Sequence, residues 1–258
     1  LSGQCDFANS LAVLRNAGIK RTALWTPMIN SCGISEAKRI WDSAGMTAES
    51  LCVACLFEDE ALLREQLDLS DMFGARTLVI ITGGFEALRS AGHDGDIDYA
   101  RSLLVERLAL AAELADSYRV RLAFEPLHPM VCGFRSIVST LQESLDILDQ
   151  MDDSHDIGLA IDTYALWWEH DLQEKLRRAG NRILNYHVSD WLADTRDLRL
   201  DRGMPGDGQI ALCDWRHMIE AAGYFGPIEV EIFSRDRWWK TPAEKMIEEI
   251  IQRMNSAF

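Results

Sequence analysis

Five phrases in the sequence, NAGIK, SAGMT, MFGAR, RAGNR and AAGYF, share one construction: the end of an amphipathic stretch, a glycine, and the approach to an apolar run. Gly18, Gly45, Gly74, Gly180 and Gly223 each stand where a helix has to stop. Glycine there supplies the left-handed turn that residues with a Cβ resist. Short apolar runs at 22–25, 51–56, 77–81, 120–124, 157–161, 183–188 and 228–232 read as strands. Between and around them, helical spacing covers 6–17, 36–43, 59–73, 99–118, 139–150, 172–179, 214–222 and 243–254. Within 99–118, Leu103, Leu104, Leu108, Ala111, Ala112 and Ala115 recur on one helical face.

Such alternation predicts parallel strands, because two adjacent parallel strands need a crossover and the helix is that crossover. About eight such units close into a (β/α)8 barrel of about 250 residues. The 258 residues, 48% of them hydrophobic, therefore predict a single (β/α)8 TIM barrel domain over 1–258, with no linker or low-complexity stretch. Seven strands are countable, and the first of the eight falls before Asp6, where it is short or missing. An open doubly wound sheet would call for a glycine-rich phosphate turn after an early strand, and none follows.

Charge and cysteine usage narrow the setting. Forty-one acidic against 26 basic residues give a formal charge of −15, which disfavours nucleic acid, since binding phosphate backbones needs clustered Lys and Arg. No apolar segment approaches the roughly 18 residues of a membrane span. The first residues show no basic region followed by an apolar core, so no signal peptide is expected. The start at Leu1 rather than Met leaves room for a trimmed terminus. Six dispersed cysteines suit reduced thiols in a cytoplasmic protein, and Cys52 and Cys55, a C-x-x-C inside a strand with no second pair, read as core residues.

The active site of such a barrel lies at the C-terminal ends of its strands. In order, those ends carry Glu125 (RLAFE), Asp162 (IGLAID), His187 (ILNYH) and Glu231 (IEVEI). Side chains alternate along a strand, so Ala123 and Arg121 should point inward with Glu125, and Ala160 and Gly158 with Asp162. Singly, each acid is equally well an N-cap and the histidine a satisfied core residue. Four on consecutive strands share one explanation, a metal site. Three carboxylates and an imidazole are a hard, oxygen-rich set that suits one divalent ion, Mn2+ first, then Mg2+ or Co2+, with Zn2+ left open.

Pro126 and Pro129 bracket His128 in LAFEPLHPM. His128 is either a third proton-transfer group at the same mouth or a turn residue bonded to backbone. Asp190 in HVSDW either orients His187 or caps the following loop. Trp25, Trp167, Trp168, Trp191, Trp238 and Trp239 fall near strand exits. Trp25 and Trp191 are candidate faces for a sugar ring or flat aglycone, with plain packing as the alternative.

The four strand-end phrases, with HVSDW and RGMPGDG, resemble the xylose isomerase-like TIM-barrel superfamily, the sugar phosphate isomerase/epimerase group, over nearly the whole chain. The resemblance implies one divalent metal on Glu125, Asp162, His187 and Glu231. It implies an acid/base pair, Glu125 and Glu231, on opposite faces of the sugar, and a substrate-facing Arg202. The implied activity is that of a metal-dependent sugar isomerase or epimerase, removing a proton next to the carbonyl of a keto-sugar through a metal-stabilised enediolate. One departure stands out: many relatives carry a histidine three residues after the Asp162 position, and here DTYALWW has Ala165. That weakens a transfer of free-ketose 3-epimerase or inosose dehydratase activity. It opens a lyase alternative, β-elimination from a 3-oxo-glycoside as in the barrel subunits of C-glycoside deglycosidases, with His128 as base. Related DNA-repair endonucleases use more histidines for a multi-zinc site; six histidines, mostly off the strand ends, and a charge of −15 argue against that class. A metal-free barrel used for binding or assembly is the remaining class. The expected partners are a small-molecule sugar and further copies of the chain in a homo-oligomer, with a second unrelated subunit for a deglycosidase; no nucleic acid or membrane is expected.

Overall fold

A computed structural model describes residues 1, 3–89, 92–152 and 154–256. Its strands are β1 (Arg21–Trp25), β2 (Thr47–Cys55), β3 (Thr77–Ile81), β4 (Arg121–Phe124), β5 (Ile157–Asp162), β6 (Ile183–Val188) and β7 (Glu229–Val230). All pair in parallel and in chain order, β1 to β7, with helices in the connections, so the sheet curls into a nearly closed barrel. Among the described residues β1 and β7 are not bonded to each other. A cleft of about 640 Å³ separates them, lined by Leu24 and Trp25 on one side and Val230 and Ile232 on the other. No strand precedes helix Phe7–Asn16 among those residues, which leaves seven strands.

All five glycine stops have positive φ, 79° at Gly18, 62° at Gly45, 73° at Gly74, 54° at Gly180 and 98° at Gly223; Gly45 and Gly74 are left-handed caps, whereas Gly180 takes ψ −128°. At Gly74 the chain leaves helix Glu60–Phe73, and the next N–H, of Ala75, returns to the Ser70 carbonyl at 2.8 Å. Not every helix stops on glycine: Ile97–Tyr118 ends on Arg119 at φ 56°, and Leu141–Leu148 ends on Asp149.

The sheet separates two apolar layers because its side chains alternate. Leu78, Ile80, Leu122, Phe124, Leu159 and Ile161 face outward into the large core shared with helix residues such as Leu104, Leu108 and Ala111. Val79, Ala123 and Ala160 form a small inner cluster with Cys52, Val53 and Leu184 beside it. Inner residues must be small where strands converge, and Gly158 shows why: a Cβ there would lie 2.1 Å from the Arg182 carbonyl oxygen.

Differences from the sequence reading are local. β2 starts at Thr47 because Arg21 pairs with it, and β7 is only two residues long, bonded to β6 alone. Three short helices, Thr26–Cys32, Glu86–Arg89 and Thr163–Leu166, stand in the loops beyond β1, β3 and β5. No disulfide forms among the described cysteines, and burial pushes the Cys55 thiol up to about 11 and the Cys52 thiol well above its ordinary value. Among the described residues no helix is long and apolar enough to cross a membrane.

Candidate active site

The ends of β4 to β7 place four acidic or imidazole side chains at one mouth. Glu125 directly follows β4, and its N–H donates to the Ile80 carbonyl at 2.9 Å, which ties it to the neighbouring strand. His187 and Asp162 are paired neighbours in the register of β5 and β6, and the Glu231 N–H donates to Val188 O at 3.0 Å. His187 Nδ1 lies 3.1 Å from Glu125 Oε1 and 4.0 Å from Glu231 Oε2. Glu125, His187 and Glu231 each offer one donor atom, all within 4.8 Å of one another.

Asp162 joins this group through Arg202. Its Oδ2 accepts from Arg202 Nη1 at 2.9 Å, and the same Nη1 donates to Glu231 Oε2 at 2.8 Å. Asp162 Oδ1 accepts from the Tyr164 N–H at 2.9 Å, so this acid also N-caps the short helix Thr163–Leu166. The guanidinium of Arg202 is flanked by rings, 4.4 Å from the Tyr164 centroid and 5.5 Å from that of Phe233.

Burial and like charge set the electrostatics. Burial raises the Asp162 carboxyl above its ordinary range, although Arg202 opposes the shift. At Glu231 burial also acts upward, but the charges of Arg202, His187 and Arg135 outweigh it and hold the pKa low. For His187 burial acts downward; hydrogen bonds to Glu125 and Glu229 and the charge of Glu231 overcome it and raise the pKa well above 6.5. Buried carboxylates that converge on one guanidinium and one imidazole are a donor set wanting positive charge. Their chemistry fits a hard divalent cation.

His128 caps the turn Pro129–Val131, its Nδ1 accepting the Met130 N–H at 3.2 Å. Its ring stacks on Trp191 at 4.7 Å and 24°, meets Trp168 edge-on at 6.1 Å, and lies 6.5 Å from Tyr164. Burial, then the charge of Arg202, lowers its pKa below 6.5. The ring is therefore neutral at pH 7, and with Nδ1 accepting, its one N–H is on Nε2. Trp191 belongs to this aromatic wall. Trp25 does not: it packs edge-on against Phe233 at 6.0 Å, in the cleft between β1 and β7.

Asp190 does not touch His187; it caps the loop. Its fully buried carboxylate accepts four backbone N–H groups: Trp191 at 2.9 Å, Gly206 at 3.0 Å, Gly208 at 2.8 Å and Ile210 at 3.0 Å. Gly208 permits the approach, since a Cβ there would lie 2.2 Å from the Trp191 carbonyl oxygen. This clamp holds the loop that begins at Arg202.

Two groups near the mouth went unread in the sequence. Glu229 lies 3.3 Å from His187 Nε2, and the period of two in IEVEI already puts it on the face of Glu231. Arg135, half-buried in the loop after β4, bears electrostatically on Glu125 and Glu231, and no local sequence signal marks it.

The family described as xylose isomerase-like TIM barrel matches residues 57–257. No curated protein sequence matches the chain. Among solved structures, protein SMc04130 of Sinorhizobium meliloti 1021 is 37% identical, with a TM-score of 0.89 over 99% of this chain and 94% of that one. The zinc-bound IolI protein is 17% identical, with a TM-score of 0.81 over 98% and 93% of the two chains. The 3-keto-D-glucoside 4-epimerase YcjR of E. coli is 15% identical, with a TM-score of 0.74 over 97% and 94%. At the last two identities the likeness is one of fold.

Proposed function

Because the chain belongs to the xylose isomerase-like TIM-barrel family, we propose that it is a divalent-metal-dependent sugar isomerase or epimerase acting next to the carbonyl of a keto-sugar or sugar derivative. The observation that carries this reading is the convergence of Glu125, His187 and Glu231 within 4.8 Å, inside a barrel mouth. Those three, with Asp162 beside them, would hold the ion. When bound, it supplies Lewis-acid stabilisation of the negative charge that grows on oxygen as the C–H proton leaves.

The chain's own groups do the rest. Glu125 and Glu231 come from β4 and β7, on different sides of the mouth, and are the pair that removes a proton from carbon and returns one. Glu231, held ionised by Arg202 and His187, is ready to accept. Arg202, whose Nη1 joins Asp162 to Glu231, brings a guanidinium to the mouth for a substrate oxygen. His128 serves as a donor through Nε2–H rather than as a base, because Nδ1 is engaged by Met130. Trp191, backed by the buried Tyr164, offers an apolar face to a sugar ring, while Trp25 lines the side of the mouth open to the cleft.

The test is solvent exchange. Protein loaded with Mn2+ and incubated with ketoses and 3-oxo-sugars in D2O should place deuterium on the carbon next to the carbonyl, and lose the activity on chelation. No exchange across the panel would sink the reading.

The role of His128 carries a pH prediction. Its folded pKa is lowered, so the neutral form that accepts from Met130 is favoured above the ordinary value of about 6.5 and lost as pH falls through the lowered one. An NMR titration of the ring should give a midpoint below 6.5, rising towards that value in Trp191→Ala, where the ring gains water. A midpoint above 6.5 in the wild type would contradict it.

A second reading, β-elimination from a 3-oxo-glycoside, is favoured by the aromatic wall of His128, Trp191 and Trp168, which suits a flat aglycone. There a glutamate would take the proton and His128 Nε2–H would face the leaving oxygen. Aglycone release from an aryl 3-oxo-glycoside, followed by absorbance, distinguishes it.

A further inference from the structure

Glu229 is a largely buried carboxylate, its side chain 10% exposed, with no cationic Lys or Arg beside it among the described ion pairs; its one charged-type neighbour there is the His187 ring. His187 and Glu229 are register partners across β6 and β7, and Nε2 of the ring lies 3.3 Å from Glu229 Oε2. Two strands besides its own hold that carboxylate in place. The Ser50 hydroxyl, from β2 beyond the cleft and β1, donates to its two oxygens at 3.0 and 2.9 Å, and Asn185 Nδ2 from β6 approaches Oε2 at 3.4 Å. Ser50 and Asn185 are themselves buried.

Desolvating a carboxylate costs free energy that a purely packed interior would avoid. What the arrangement gains is direction. The two nitrogens of His187 face different surroundings: among the described acids Nε2 meets Glu229 alone, while Nδ1 faces Glu125 at 3.1 Å and Glu231 at 4.0 Å. With a metal ion on one nitrogen the imidazole keeps a single N–H on the other, and the partner of that N–H decides which nitrogen is left to the ion.

We propose that Glu229 is a positioning residue that keeps the proton of His187 on Nε2 and turns the ring so that Nδ1 is the nitrogen offered to a metal ion shared with Glu125 and Glu231. This rests on the reading of those residues as a metal centre. A carboxylate behind a ligating histidine fixes both tautomer and ring angle, and removing such a partner typically weakens metal binding by about 10–100-fold. Ser50 and Asn185 hold the carboxylate in turn, so the support for one ligand runs from β2 to β7.

Zn2+ is the probe, because it is diamagnetic. In histidine-labelled, Zn2+-loaded wild-type protein, nitrogen NMR should show His187 Nε2 bearing a slowly exchanging proton and Nδ1 shifted by coordination. Glu229→Met keeps the length and removes the acceptor. It should bind Zn2+ about 10–100-fold more weakly in a chelator competition and lose the protected Nε2 proton. Glu229→Gln keeps an acceptor oxygen and should restore that proton and most of the affinity, which also keeps the test alive if the methionine variant does not fold. Coordination through Nε2, or a folded Glu229→Met binding Zn2+ as tightly as wild type, overturns this inference and leaves the metal centre standing. Failure of the wild type to take up Zn2+ overturns both.

Discussion

Replacing Glu125 and Glu231 together by glutamine is expected to abolish deuterium incorporation next to the substrate carbonyl, a loss of more than about 10⁴-fold. Each glutamine keeps the shape of the side chain and removes its ability to accept a proton. A single positioned acid/base group contributes roughly 10²–10⁴-fold, so either single variant should fall by about that much. The single variants should also differ from each other. Glu231 shares Arg202 with Asp162, so its loss leaves the guanidinium paired to one carboxylate instead of two. Glu231→Gln should therefore raise KM as well as lower kcat, whereas Glu125→Gln, whose partner is His187, should act mainly on kcat. Metal content measured on the same preparations separates lost proton transfer from lost ion. Exchange that survives the double substitution would end the proposal that these carboxylates move the proton.

The largest effect on stability is expected at Asp190, which touches neither the proposed substrate nor His187. Asp190→Ala strands four backbone N–H groups, on Trp191, Gly206, Gly208 and Ile210. A buried donor left without an acceptor costs about 1–3 kcal/mol, and water entering the space freed by the side chain recovers part of that. A net loss of about 3 kcal/mol or more is expected, which lowers the thermal midpoint by roughly 6–12 °C in a chain of this size. Asp190→Asn should be nearly as harmful, because its amide NH2 would face N–H donors where the carboxylate accepted them. Activity should fall too, since the clamped loop carries Arg202. Had the acid oriented His187, the outcome would be a weakened metal affinity with stability unchanged; calorimetry and a Zn2+ titration on the variant tell the two apart.

These two predictions rest on information of different origin. Glu125 and Glu231 could be named from the sequence because strand alternation and strand ends are local properties. A carboxylate one residue past an apolar run is at the mouth whatever the rest of the chain does. Asp190 was equally visible, but its two possible partners, a ring three residues back and a loop up to 20 residues ahead, lie within similar reach. Only the path of that loop, closed down by the glycines at 206 and 208, selects between them. His128 shows the same split. Its flanking prolines mark a stiff turn, yet the nitrogen that accepts from Met130, and hence the one left to donate, depends on how the ring packs against Trp191. Trp25, placed near a strand exit by sequence, faces the cleft beside Phe233 because β1 has no bonded neighbour on that side among the described residues.

The sequence by itself determined the order of strands and helices, the glycine stops, the two faces of each strand, and, among the charged groups delivered to one end of the barrel, the four at the strand ends, Glu125, Asp162, His187 and Glu231. Each of these follows from a repeat of two or 3.6 residues or from a single backbone angle, and so needs no knowledge of distant chain. The tertiary structure alone decided the pairings within that set: Arg202 between Asp162 and Glu231, Asp190 under its loop, and Glu229 joined to a serine 179 residues away. Those contacts arise where strands distant in sequence converge on one axis, and no local pattern records which side chains will meet there.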